Sequence, residues 1–155
     1  MNDLRDTFCN CLYYSVGALS RQLAKLAEDA FAPTGLAPSY GFVIMTVGKA
    51  DGVSPGQIAQ TMQLTPSTVT RLVEKLEYKG FLRRESQGRS TQVYLTEAGQ
   101  QLLPQVRTSW KQLYDGYVAV LGPELSKSLN GLVFEATQRL ENPPKETESS
   151  ESKTQ

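Results

Sequence analysis

Two helix-start signals, one short helix apart, constrain this chain more than any other feature. Ser54-Pro55 and Thr65-Pro66 each put a hydroxyl residue where a helix needs an N-cap, and a proline where the first helical N–H has no partner anyway. The spacing predicts a helix over Pro55 to Met62, a break at Gln63-Leu64, and a second helix from Pro66 to about Tyr78, with Gly80 placed to end it. Ile58, Ala59 and Met62 would pack against Leu64, Val69, Leu72, Val73 and Leu76. Ala59 is small where two helices must cross closely, and Leu64 plugs the turn. Two short helices, a three-residue turn and this apolar frame describe a helix-turn-helix.

On the second helix the inward set leaves Pro66, Ser67, Thr70, Arg71 and Glu74 facing outwards. Short hydroxyl side chains in the first turns, with Thr65 as the cap, can approach base edges, while Arg71 can reach a guanine or a phosphate. Helix N-termini also favour phosphates through their free N–H groups. Lys75, Lys79, Arg83 and Arg84 extend the positive surface as expected phosphate contacts. The chain has sixteen basic and sixteen acidic residues, yet six basic and only three acidic ones lie between Arg71 and Arg89. The competing reading of this segment alone is a solvated basic face on an ordinary helix pair.

Phe81 to Glu85 and Thr91 to Leu95 both read as strands, joined by the loop Ser86-Gln87-Gly88-Arg89-Ser90. A hairpin directly after a recognition helix is a wing. Arg89 at its tip is suited to a narrow minor groove, where the negative potential is strongest; taken alone it would be a solvated loop charge.

Composition removes several rivals. With no His there is no Ser-His-Asp triad, no Cys-His dyad and no common zinc site. An enzyme is therefore not expected, and neither a cofactor nor a metal is called for. Two Cys cannot build a disulfide scaffold, no apolar run approaches a membrane span, and the start with Asp3 and Asp6 lacks a signal peptide's basic flank. The expected setting is cytoplasmic, with no membrane partner. The length of 155 residues suits one domain, 1–141, followed by a polar tail, 142–155, expected to be disordered.

Apolar spacing supplies the remaining helices. Phe8, Leu12, Val16, Leu19, Leu23 and Leu26 mark a long first helix within about 4–32. Tyr40 to Val47 reads as a short buried helix, although Phe42 to Met45 alone would suit a strand. Ala98, Leu102, Val106, Leu113, Tyr117 and Val120 mark a second long helix, capped by Thr96 and expected to kink at Pro104. After Gly122-Pro123, a last helix carries Leu125, Leu129, Leu132, Val133, Ala136 and Leu140, so that the two together cover about 97–140. The expected fold is mainly α with a small β-hairpin wing, the winged lobe spanning about 54–95.

With these residues in place, the chain resembles the MarR family of winged-helix regulators. The resemblance is carried by Ile58-Ala59-Gln60, Leu64-Thr65-Pro66-Ser67-Thr68-Val69-Thr70-Arg71-Leu72-Val73, Leu76-Glu77, Lys79-Gly80-Phe81-Leu82-Arg83-Arg84 and Leu95-Thr96-Glu97-Ala98-Gly99. It covers residues 4 to 140 and is dense from 55 to 99. It implies a homodimer formed mainly by the first and last two helices, which represses genes by binding pseudo-palindromic double-stranded DNA. It also implies a small aromatic or anionic effector, or an oxidant. Family wings often carry an Asp close before paired Arg residues, whereas this loop has one Arg and no Asp. That departure, with the zero net charge, leaves open a winged-helix module that binds a protein partner instead of DNA.

The segment Phe8-Cys9-Asn10-Cys11-Leu12-Tyr13-Tyr14-Ser15 resembles the first helix of the organic hydroperoxide sensors in this family. Cys9 holds the place of their reactive thiol, and Tyr13, one turn on, could hydrogen-bond a thiolate. Two further Tyr of those sensors fall at Leu23 and Ala37. On a continuous helix Cys9 and Cys11 would point about 200° apart, which argues against an internal disulfide or a shared soft metal. The alternative is two ordinary half-buried thiols. An effector cleft would draw on Tyr14, Tyr40, Phe42, Met45, Trp110 and Tyr114, although aromatics at helical spacing are more often core.

Overall fold

The computed structural model describes residues 7–143, so the expectations for the first six residues and for the tail beyond Pro143 lie outside it. The helices are α1 (Leu12–Phe31), α2 (Pro38–Val47), α3 (Pro55–Met62), α4 (Pro66–Tyr78), α5 (Glu97–Leu121) and α6 (Pro123–Glu141). A short 3-10 turn, Ala32–Thr34, follows α1, and the strands β1 (Leu82–Gln87) and β2 (Ser90–Leu95) lie between α4 and α5. The chain divides into two compact units, one up to Gly116 and one from Tyr117. In the second unit α6 starts at Gly122-Pro123 and buries Ser126, whose hydroxyl donates to the Gly122 carbonyl at 2.7 Å.

In the first unit the caps act where the sequence puts them. Ser54 closes a full capping box on α3: its hydroxyl accepts from the Gln57 N–H, and the Gln57 side chain accepts from the Ser54 N–H. Thr65 caps α4 by accepting from the Thr68 N–H at 3.3 Å. Between these helices Gln63 takes the left-handed conformation, φ 53°, and the Leu64 N–H reaches back to the Ala59 carbonyl. At the far end of α4 the Gly80 N–H bonds the Glu77 carbonyl and the Phe81 N–H bonds the Leu76 carbonyl, with Gly80 at φ +80°. These two bonds are a Schellman stop, and they aim the chain into β1.

Val43, Ile44 and Val47 of α2, Ile58 and Ala59 of α3, and Val69, Val73 and Leu76 of α4 form one buried cluster with Leu82 of β1 and Val93 of β2. Met62, Leu64 and Leu72 pack against it, so the frame expected for the helix-turn-helix is the core of the lobe. Fully burying a Leu or Ile side chain contributes roughly 1.5–3 kcal/mol, so this cluster is the main anchor of α3 and α4. The stretch Phe42 to Met45 is helical, not a strand.

Two expectations are corrected. The hairpin loop is not five residues long: Gln87 pairs with Ser90, leaving only Gly88-Arg89 as the connection. Gly88 at φ +63° supplies the left-handed first position of a tight two-residue turn, so the strands continue further than side-chain alternation suggests. The first helix also begins later than Phe8. Residues 7–10 form a turn in which the Cys11 N–H bonds the Phe8 carbonyl, and Cys11 is the N-cap of α1. Phe8 folds back on Tyr14 with ring centroids 5.5 Å apart, a contact that six-residue spacing on a straight helix would prevent. Cys9 and Cys11 therefore do not share a helix, and the angular argument about them does not apply.

Candidate nucleic-acid interface

Helix α4 is anchored on one side by Val69, Val73 and Leu76, and this leaves Thr65, Ser67, Thr70, Arg71, Glu74, Lys75, Tyr78 and Lys79 exposed along the other. The hydroxyls at its start are partly committed. Thr65 Oγ lies 3.2 Å from the Ser67 hydroxyl and 2.8 Å from the Thr68 hydroxyl. Thr70 donates its proton to the Pro66 carbonyl at 3.0 Å, so outwards it offers an acceptor oxygen and a methyl group. That pair of features suits a base-edge donor or a thymine methyl. Lys75 lies over the Tyr78 ring at 6.0 Å, which places a cation and an exposed aromatic side by side near the end of α4.

The basic residues fall into two groups. Arg83 pairs with Glu85 and stacks over the Tyr94 ring at 4.5 Å, across the hairpin pairing Arg83 with Tyr94. Arg84 is bound to Glu77: its Nε donates to Oε2 at 2.9 Å, Nη2 lies 2.7 Å from the same oxygen, and its backbone N–H donates to Oε1 at 3.2 Å. Glu74 stands 4.0 Å from the same guanidinium. These hydrogen bonds to Arg84 hold the Glu77 carboxyl below the usual carboxylate range, and they raise the Arg84 guanidinium in turn. Among the described residues Arg71, Lys79 and Arg89 form no ion pair within 4.0 Å. With Lys75 they are the charge that α4 and the exposed hairpin tip offer to a polyanion.

The base of the hairpin is fastened on three sides. Val53 exchanges two backbone bonds with Val93, at 2.9 and 3.1 Å. Thr96, the α5 cap, accepts from the Gly99 N–H at 3.1 Å and donates its hydroxyl proton to the Gly80 carbonyl at 2.5 Å. Its own N–H bonds the Phe81 carbonyl at 3.0 Å. A Cβ on Gly99 would lie 2.2 Å from that carbonyl oxygen, so the start of α5 can approach the hairpin only with glycine there. The Leu95-Thr96-Glu97-Ala98-Gly99 segment is thus a joint, and Glu77 and Tyr94 belong to the site architecture although no sequence pattern marks their contacts. No periodic signal links Glu77 to Arg84 across a turn.

The expected effector residues differ in burial. Tyr40, Phe42 and Met45 pack against the core, with Phe42 5.6 Å from Phe31, whereas Tyr14, Trp110 and Tyr114 are about half exposed. A groove at the base of the hairpin is lined by Val47, Asp51, Arg83, Tyr94, Gln100 and Leu103, among others, and contains none of those six. Cys9 and Cys11 are exposed, and Tyr13 is 91% exposed.

Residues 34–90 match the model of the MarR family. The chain is 24% identical over 122 residues to the HTH-type transcriptional repressor MdtR of Bacillus subtilis, covering 77% of this chain and 79% of that protein. It superposes on a mutant E. coli MarR complexed with operator DNA at a TM-score of 0.74 and 17% identity, covering 86% of this chain and 98% of the other. On Bordetella bronchiseptica BpsR, solved to explain regulation of its DNA binding by 6-hydroxynicotinic acid, the TM-score is 0.76 at 15% identity, covering 83% and 96%. The protein is a winged helix-turn-helix. Over residues 34–90 it is similar to the MarR family.

Proposed function

We propose that this protein is a sequence-specific regulator of transcription, a homodimer that binds double-stranded DNA through α4 and the hairpin. One observation carries the reading: α4 is fixed by a buried apolar face and presents Ser67, Thr70, Arg71, Lys75 and Lys79 on its exposed one. MdtR is named a transcriptional repressor, and the E. coli MarR structure holds operator DNA, which supports the same use of this lobe here. Thr65 caps the reading helix, Ser67, Thr70 and Arg71 address base edges or nearby phosphates, Lys75 and Lys79 supply phosphate attraction, and Arg89 enters the minor groove.

Dimerisation is supported by unpartnered apolar faces on the terminal helices. Leu12, Tyr13 and Val16 of α1 are exposed, as are Leu125, Leu132, Val133, Phe134 and Leu140 of α6. Large apolar side chains exposed along each of these helices ask for a partner. Two recognition helices in a dimer would enter successive major grooves about one helical turn apart. The effector we propose is a small aromatic molecule or an oxidant acting at Cys9, the first supported by the control of BpsR by 6-hydroxynicotinic acid. Among the described residues no single helix is long and apolar enough to cross a membrane, in keeping with a cytoplasmic regulator.

Fluorescence polarisation against a duplex carrying the promoter of its own gene tests the reading. Specific binding is expected, with a large loss for Arg71→Ala. Lys79→Ala should reduce the slope of log affinity against log salt by about one unit, one phosphate's worth. Binding indifferent to Arg71→Ala would overturn the assignment of α4 as the reading helix. Treatment with an organic hydroperoxide separates the two effector classes, since only the oxidant route predicts release that a thiol reverses.

A further inference from the structure

We propose that the Glu77–Arg84 pair is a clamp that sets the angle of the hairpin to α4, so that Arg84 is a positioning residue and not a phosphate contact. The inference deepens the DNA-binding reading and rests on it for its functional consequence.

A two-stranded hairpin has little stability of its own, so its direction is decided at its base. The tip loop contains one Arg and no acidic residue that could brace it from within. At the base, β1 leaves α4 through the Schellman stop at Lys79–Phe81, and the Val53–Val93 and Thr96 bonds fasten the backbone there without tying the strand to a side chain of α4. Glu77 stands in the last turn of α4 and Arg84 is the third residue of β1. Their three contacts use both carboxylate oxygens, two guanidinium nitrogens and a backbone N–H. A single exposed ion pair contributes little, but a multidentate fork with a backbone donor fixes direction as well as distance.

Charge supports the same assignment. The Arg84 guanidinium faces two carboxylates, Glu77 and Glu74, and has little net charge left for a phosphate. A carboxylate on a DNA-reading helix would by itself repel the ligand. Glu77 is compatible with that surface because its charge is spent on the clamp, which holds Arg89 in reach of the minor groove.

Two charge-defined variants and one background test the clamp. Glu77→Gln removes a negative charge near DNA, and Arg84→Lys keeps the positive charge while losing the fork. Each is expected to bind the promoter duplex roughly fivefold more weakly, the scale of one ordinary net hydrogen bond. The double variant should be no worse than either single one, and the loss should largely vanish when Arg89→Ala is already present. Hydrogen exchange needs no DNA: amides of residues 82–95 should exchange faster in both variants while those of α4 stay unchanged. Wild-type-like affinity for Arg84→Lys, or equal or tighter binding by Glu77→Gln, would overturn the clamp and leave the DNA-binding reading standing. An undiminished loss in the Arg89→Ala background would overturn its role in aiming the wing. Wild-type exchange rates across 82–95 in both variants would overturn it even for a chain that bound no promoter DNA, a result that would count separately against the DNA-binding reading.

Discussion

The lobe from Ser54 to Gly99 and the terminal helices α1 and α6 carry the same kind of signal, apolar residues at helical spacing, and put it to opposite use. In the lobe Ile58, Val69, Val73 and Leu76 are at most 2% exposed. In α6 Leu132 is 64% and Phe134 54% exposed, and Ser126 is the one residue of that helix that is buried. Periodicity reports that a helix has an apolar face; it does not report whether the cover comes from the same chain. Where the cover is internal the pattern becomes a core. Where it is not, the pattern points to another molecule.

The largest effect should therefore come from Leu76→Ala, which is expected to cost about 3 kcal/mol in urea unfolding. Leu132→Ala should leave the core intact and instead weaken self-association, read by sedimentation equilibrium across protein concentrations. A wild-type chain that sediments as a monomer at all concentrations would break the comparison, because α6 would then have an exposed face with no partner of its own kind.

Next in size is Gly99→Ala, expected to cost about 2 kcal/mol because a Cβ must be forced against the Phe81 carbonyl. Unchanged stability would mean that the joint between the hairpin and α5 is looser than the 2.2 Å approach implies. Ser54→Ala, which removes half of a capping box at the start of α3, should cost about 1 kcal/mol by the same measurement. A loss well above that would show that α3 depends more on its cap than on Ile58 and Ala59.

The smallest effect is on pH dependence. Glu77 is more acidic when folded than its ordinary value of 4.5, chiefly through the Arg84 side-chain hydrogen bond. The stability it contributes is therefore present above 4.5 and lost as pH falls through the folded value. Urea midpoints measured from neutral pH downwards should fall more steeply below about 4.5 for wild type than for Glu77→Gln. Parallel curves would remove Glu77 from the linkage.

The legible parts of this protein are those governed by short-range chemistry. Both Pro-started helices, the caps Ser54, Thr65 and Thr96, and the Gly80 stop follow from backbone groups that must be satisfied within a few residues. Alternation marks the hairpin, but only the positive φ of Gly88 shows how tightly the strands close. The start of α1 is not legible in spacing, because Phe8 satisfies the helical period while its ring turns back on Tyr14.

Residue chemistry and spacing determined that this chain has an amphipathic reading helix, a hairpin behind it and a basic segment on both. The tertiary structure alone decided which of the six basic residues stay available. Arg83 and Arg84 are drawn to Glu85 and Glu77, while Arg71, Lys79 and Arg89 have no such ion-pair partner among the described residues. The physical reason is distance: a cap or a stop joins groups three to five residues apart, whereas the Arg84–Glu77 contact spans seven and exists only after α4 has ended, the chain has turned at Gly80, and β1 has been brought back alongside the helix.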